Sequence, residues 1–438
     1  MKKARQISSP IPHIVIVGGG AGGSELAALL GKKLGKPGKA AITLVDATLT
    51  HLWKPLLHEI ASGTMNSYED EINYFALARN NHFQFAPGTL QTINRAKKEI
   101  VLTPTSSPHE DESIPTRTVK YDVLMIAVGS VANDFGTPGV RDHCLFLDNL
   151  QQANAFHQHL LKTLINYGNQ AIKKRFNITV IGGGATGIEL IAELHNAVRL
   201  MANYGLQFDP AQIDFTLVEA ADRLLPALSP HLSKLVLTEL QRLNVQVHLS
   251  EKVIAATELG LETQSGEFIA SDLMIWTAGI KAPDFLQHLD GLETNRANQL
   301  LVRPTLQTTL DDAIFAFGDC ASCPQLNSEK PVPPRAQAAH QQAQLLVKSL
   351  ACYFKHTPLP NFHYRDHGSL ITISHYEVVG NLMGKIVKSW HIEGGLARLF
   401  YLSLYKQHQT ALYGLWRVIL LTLANRLSRK VKPRLKLH

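Results

Sequence analysis

Short apolar runs, and the glycines that end them, set the pattern of this chain. His13-Ile-Val-Ile-Val17 runs straight into Gly18-Gly-Gly-Ala-Gly-Gly23, and Asn177-Ile-Thr-Val-Ile181 runs into Gly182-Gly-Gly-Ala-Thr-Gly187. Each glycine run opens a helical segment. Each helix is followed by a second apolar run that ends on an acid: Ala41-Ile-Thr-Leu-Val45 before Asp46, and Asp214-Phe-Thr-Leu-Val218 before Glu219. Short runs without apolar/polar alternation fit strands buried on both faces. Strand, glycine turn, helix, strand is the βαβ unit of a parallel sheet, and the chain uses it twice. Further apolar strands are expected over 121–128 before Gly129, over 272–278 before Gly279, and over 314–317 before Gly318-Asp319. Residues 103–116, with three prolines and an acidic cluster, read as a loop, and Lys330-Pro-Val-Pro-Pro334 reads as an irregular crossing segment.

Gly18, Gly20 and Gly23 fit G-x-G-x-x-G, and Gly182, Gly184 and Gly187 fit it again. The spacing has a mechanical reason. The first glycine makes the tight turn and the second lets backbone approach a pyrophosphate. The third lets the helix pack near its strand, so that the helix N-terminus faces negative charge. One such motif is weak evidence, because glycine turns are common. Here both copies follow a strand, open a helix and have an acid ending the next strand.

Asp46 lies 28 positions after Gly18 and Glu219 lies 37 after Gly182, later than the usual spacing of about 20. Insertions explain the delay: 35–39 in the first unit and 204–212 in the second. A carboxylate at this place accepts hydrogen bonds from ribose hydroxyls and repels a 2′-phosphate, so Glu219 favours NADH over NADPH. Arg223 works against that preference, because an arginine there is able to pair with the phosphate. Two such sites imply two dinucleotides, FAD on the N-terminal motif and NADH on the second. Asp319, after its short strand, is placed either to bond the flavin ribityl chain or to cap a helix.

Composition is ordinary for a globular protein, with 45% hydrophobic and 18% charged residues. The length of 438 residues fits two to four domains. The charge is informative once located. Nine of the 43 basic residues follow Glu393, the last acid, which leaves 34 basic against 36 acidic residues in 1–393. The whole positive excess therefore sits in the tail, which points to an anionic membrane surface as partner and not to nucleic acid. The apolar run at 14–17 is too short for a signal peptide.

These residues resemble the type II (non-proton-pumping, single-subunit) NADH:quinone oxidoreductases over essentially the whole chain. The resemblance rests on Val17-Gly-Gly-Gly-Ala-Gly-Gly23, His51-Leu-Trp-Lys-Pro-Leu-Leu-His-Glu59, Gly182-Gly-Gly-Ala-Thr-Gly-Ile-Glu-Leu190, Trp276-Thr-Ala-Gly-Ile-Lys281, Phe317-Gly-Asp-Cys320 and Arg335-Ala-Gln-Ala-Ala-His-Gln341. The last contains A-Q-x-A-x-Q. It implies an α/β two-dinucleotide-binding flavoprotein fold. The FAD-binding Rossmann domain takes 1–150 and 296–345, the NADH-binding Rossmann domain 151–295, and a C-terminal region with membrane-surface helices 346–438. It implies non-covalent FAD held by Gly18, Gly20, Gly23, Asp46, Lys54, Gly129, Gly318 and Asp319, and NADH held by Gly182, Gly184, Gly187, Glu219 and Gly279. It implies a membrane quinone docking near Gln337 and Gln341, with Glu189 close to the nicotinamide and flavin, in proton delivery. Read without the resemblance, the two glutamines fit a solvated helix face, and Glu189 fits a first-turn carboxylate favoured by the helix dipole.

No cysteine lies between residues 1 and 143, which argues against a redox disulfide facing the flavin. Cys320-Ala-Ser-Cys323 reads as a pair of structural thiols, with metal binding as the alternative; no metal site is expected. In the tail, 411–424 has a single charge, Arg417, over 14 residues, shorter than the ~20 a spanning helix needs. Six basic residues follow between Arg426 and Lys436, and Tyr401, Tyr405, Tyr413 and Trp416 are interface aromatics. The tail reads as helices lying in the membrane surface, with a core or dimer-forming helix as the alternative. The expected enzyme is peripheral, on the cytoplasmic face of the cell membrane, and compatible with a homodimer. Two rival readings remain: a soluble NADH-dependent flavin reductase with a non-quinone acceptor, and an NADH-sensing flavoprotein acting through dimerisation.

Overall fold

A computed structural model describes residues 11–103, 115–170, 174–326, 328–373, 377–382, 390–393, 405–428 and 435–436. Two five-stranded parallel sheets organise them. The first runs in the order Ile314–Ala316, Val123–Ile126, His13–Val17, Ala41–Asp46, Gln84–Pro87. The second runs Cys144–Phe146, Leu273–Trp276, Phe176–Ile181, Ile213–Val218, Val245–His248. The glycine-motif strand is central in both. Ile14, Val15 and Ile16 in the first, and Ile178 and Val180 in the second, are fully buried, which is why these runs are apolar on both faces. The α/β reading stands.

Each sheet carries a three-stranded antiparallel appendage, made by Thr89–Asn94, Glu99–Thr103 and Arg117–Lys120 in the first half and by Val253–Thr257, Gly260–Thr263 and Phe268–Ala270 in the second. Both contribute buried side chains to the adjoining cores. The loop expected at 103–116 falls largely outside the described residues.

Element edges differ slightly from the sequence boundaries. Cys144–Phe146 already belongs to the second sheet, so its unit begins before residue 151. The helix Ala336–Tyr353 crosses residue 345 and packs on Ala21–Leu30, with Ala338, Ala343 and Leu346 in the first core. Beyond it, Gly368–Ile373, Glu377–Leu382 and Trp390–Glu393 form an antiparallel sheet.

The tail divides in two. The helix over 405–413 is part of the body: Tyr405, His408 and Leu412 are buried, and Leu412 joins the first core. The helix Leu415–Ser428 is different, because Leu415, Trp416, Leu420, Leu423 and Leu427 are each 55–78% exposed. The core-helix alternative therefore holds for 405–413, and among the described residues of the tail the exposed apolar surface lies on 415–428. Residues 394–404 lie outside the described set. Among the described residues, no helix is long and apolar enough to cross a membrane.

Candidate active site

The two glycine loops share one construction. Gly18 N donates to Val45 O and Gly182 N to Val218 O, both at 2.8 Å, which seats each loop on the strand that carries its acid. Gly18 has φ +101°, and a Cβ there would collide with the Ala127 carbonyl. At Gly20 and Gly184, which cap their helices, a Cβ would meet nothing within 4 Å among the described residues. Packed glycines therefore flank an open one above a helix N-terminus, the shape a pyrophosphate needs. FAD and NADH each need such a loop, and the two loops fit a pair of dinucleotides on this ground.

The acids are held the same way. Gly19 N donates to Asp46 Oδ2 at 2.6 Å, and Gly183 N donates to Glu219 Oε2 at 2.5 Å. Asp46 Oδ1 also accepts from Thr48 N and Thr48 Oγ1, whereas Glu219 Oε1 accepts from Ala221 N. With about four acceptor positions per carboxylate, both acids keep capacity for ribose hydroxyls. The late acids have a local cause. The first helix is prolonged by the wide turn Gly31–Gly35. The second is simply long, Ala185–Asn203, before the 204–212 connection, so 204–212 accounts for only part of that delay. Arg223 Nη2 donates to Pro226 O at 2.8 Å.

A cavity of about 230 Å³ lies between the halves, lined by Ser130, Lys281, Gln299, Asp319 and the 331–334 proline segment. Asp319 Oδ2 accepts from Ser130 Oγ at 2.8 Å, and Asp319 O accepts from Gln299 Nε2 at 2.9 Å. Asp319 sits inside the short turn Gly318–Cys320, whose cap is Phe317, so it is not an N-cap. Lys54 Nζ donates to Ser130 O at 2.8 Å and lies 3.9 Å from Asp148 Oδ1. Gly129 (φ +73°) and Gly279 (φ +69°) make the turns after their strands. Gly318 N donates to Gln342 Oε1 at 2.8 Å. Gln342 is a buried residue that sequence reasoning passed over, although it directly follows Gln341.

Gln337 and Gln341 do not form a free solvated face. Gln337 Nε2 donates to Gly368 O (3.1 Å) while its Oε1 accepts from His367 N (3.1 Å). Gln341 Nε2 donates to Arg365 O (2.8 Å) and its Oε1 accepts from Arg365 N (3.0 Å). The pair thus straps the 365–368 backbone to its helix. Between them, His340 Nδ1 meets Glu25 Oε2 at 2.7 Å, and this carboxylate raises the imidazole pKa. Glu189 is buried in the second glycine helix, with His58 Nδ1 3.9 Å from its Oε2. Burial pushes the His58 pKa down to about 4. No sequence signal marked His58 beyond its place in the 51–59 motif. Cys320 and Cys323 are fully buried, and burial pushes both thiols up to about 12, so they stay protonated and unreactive.

Two glycine loops at helix N-termini, each bonded to the acid that ends its neighbouring strand, define a two-dinucleotide oxidoreductase. Residues 12–343 match the pyridine nucleotide-disulphide oxidoreductase family. The chain is 45% identical to a type II NADH:quinone oxidoreductase of Haemophilus influenzae, over 97% of this chain and 100% of that protein. It is 26% identical to one from Staphylococcus aureus, over 85% of this chain and 90% of that protein. In fold it is similar to NDH2 from Plasmodium falciparum, solved in complex with NADH, with a TM-score of 0.82 at 21% identity, covering 97% of this chain and 100% of that one. The chain belongs to the pyridine nucleotide-disulphide oxidoreductase family and, within it, to the type II NADH:quinone oxidoreductases. Neither rival reading from the sequence finds support among these relatives.

Proposed function

We propose that this chain oxidises NADH and reduces a membrane quinone at the bilayer surface, without pumping protons. The observation that carries the reading is the doubled arrangement Gly19–Asp46 and Gly183–Glu219, joined to an exposed apolar terminal helix. FAD, when bound, supplies the redox chemistry, taking two electrons as hydride from NADH and passing them to the quinone. Everything else falls to side chains and backbone. The open glycines and their helix N-termini bind the two pyrophosphates, Asp46 and Glu219 bind the riboses, and Asp319 and Lys54, both bonded to Ser130, orient the flavin's polar chain. Glu219 rejects a 2′-phosphate, while Arg223 is engaged with the Pro226 carbonyl.

Quinone reduction consumes two protons along with the two electrons. Glu189, near the nicotinamide, serves in proton delivery, with His58 as its buried neighbour. Gln337 and Gln341 shape the quinone entrance by fixing 365–368. The exposed face of Leu415–Ser428 and the basic residues after it hold the enzyme on an anionic leaflet, as a peripheral protein on the cytoplasmic face. Each basic residue near such a surface contributes about 1 kcal/mol, and apolar burial adds to that. A membrane-docked enzyme meets quinone at high local concentration. NADH oxidation by purified protein, with and without a soluble quinone analogue and alongside its FAD content, tests the reading. Turnover that is independent of quinone, or protein without FAD, overturns it.

A further inference from the structure

The glycine loops match at every backbone contact described above, and they differ in the donor to one loop carbonyl. In each loop the middle glycine also accepts a hydrogen bond at its carbonyl. Gly183 O accepts from the backbone N–H of Leu225 at 2.9 Å. Gly19 O accepts from a side chain, Tyr74 Oη, at 2.7 Å. Tyr74 is the first residue of the helix Tyr74–Asn81 and is 2% exposed. Its ring stacks on Phe85 with centroids 4.9 Å apart. Burial raises the phenol pKa well above its ordinary value, so the hydroxyl keeps its proton and acts as donor.

The consequence follows from peptide geometry. In a planar trans peptide the C=O and the next N–H point in opposite directions, and no cis peptide occurs among the described residues. Drawing Gly19 O toward Tyr74 therefore turns the Gly20 N–H away from Tyr74, to the face the loop leaves open. Three successive glycines, Gly18 to Gly20, restrict this peptide less than any other residues would. Turned over, the same peptide would aim its carbonyl oxygen at the pyrophosphate.

We propose that Tyr74 is a positioning residue for FAD, its hydroxyl locking the Gly19–Gly20 peptide with the N–H toward the pyrophosphate. The inference rests on FAD occupying the first loop. The second loop needs no such side chain, because the backbone at Leu225, held at φ +51°, does the same work.

The test is Tyr74→Phe in the full-length holoenzyme, which removes one oxygen and keeps the ring. Three quantities are measured: the rate of FAD release by flavin fluorescence, the NADH dissociation constant, and the melting temperature of the FAD-free protein. Losing a hydrogen bond to a buried carbonyl should speed FAD release about 10-fold. NADH affinity should stay within about twofold of wild type, and the FAD-free melting temperature should fall by only the few degrees that one lost hydrogen bond explains. Unchanged FAD release overturns the proposal. So does an equal weakening of NADH binding and of the FAD-free protein, because that pattern belongs to general structural damage. A wild-type protein that retains no FAD would instead remove the assignment of the first loop, and this is a separate failure.

Discussion

His51 Nε2 lies 2.9 Å from His408 Nε2, which joins the segment after Asp46 to the tail across 357 positions of sequence. The contact has company. Trp53 stacks on Tyr405 with centroids 5.3 Å apart, and Tyr405 Oη donates to Asp70 Oδ1 at 2.9 Å. Leu412 O accepts from Asn81 Nδ2. Farther on, Lys436 N donates to Gly63 O at 2.8 Å, and Leu435 is buried in the second core.

The tail is therefore best tested by substitution. Trp416→Ser, Leu420→Ser and Leu427→Ser together alter only exposed positions of the terminal helix. The triple variant should fold, keep FAD and oxidise NADH with a water-soluble acceptor. It should leave the membrane fraction and lose most activity with a long-tailed quinone in vesicles. Deleting 396–438, in contrast, removes buried Tyr405, His408, Leu412 and Leu435 and should cost the fold itself. A triple variant that still sediments with membranes would place the anchor elsewhere.

Acid should destabilise the protein through His51 and His408. Burial lowers their pKa values to about 4 and about 3, and His51 and His340 further depress His408. The unfolded value is about 6.5. The stability they contribute is thus present above that pH and lost as pH falls toward the folded values, at up to about 1.4 kcal/mol per pH unit for each group. Denaturant unfolding between pH 7 and 4 measures this, and His408→Gln should flatten the slope.

His340 works with the opposite sign. Glu25 raises its pKa at 2.7 Å, so its contribution is full below the unfolded value and is lost as pH rises through the folded one. His340→Gln should remove this alkaline loss. Unfolding midpoints between pH 6 and 9 would show it, and a wild-type midpoint that stays flat across this range would contradict it.

Glu219→Gln keeps an acceptor but loses the charge proposed to bind the ribose. A charge-assisted hydrogen bond is worth about 1.5–3 kcal/mol. The Michaelis constant for NADH should therefore rise roughly 10- to 150-fold, and discrimination against NADPH should relax. Steady-state kinetics with both nucleotides decide it, and an unchanged preference would remove Glu219 as the selector.

Gln337→Leu with Gln341→Leu frees the 365–368 backbone from its helix. Flavin reduction by NADH should stay fast in stopped flow while reoxidation by quinone slows. Limited proteolysis should also find a new cleavage near residue 366. Equal loss in both half-reactions would indicate general damage.

The glycine loops, their acids and the parallel sheets were legible in the sequence because they are local. A buried parallel strand needs a continuous apolar run, and a close backbone turn needs glycine within a fixed few residues. Asp46 and Glu219 could be found despite late spacing, because each ends the strand beside its own loop. Contacts between distant segments leave no such period. Tyr74 on Gly19, Gln342 on Gly318, His58 beside Glu189 and His408 against His51 involve single polar side chains whose partners lie 24 to 357 positions away. The division of the tail is of the same kind. By sequence, 405–413 (Tyr-Lys-Gln-His-Gln-Thr-Ala-Leu-Tyr) is the more polar segment and 415–428 the more apolar. Only the packing against Trp53, Asp70 and Asn81 decides that the first is core and leaves the second exposed, because burial depends on which surfaces the folded chain brings together and not on composition alone.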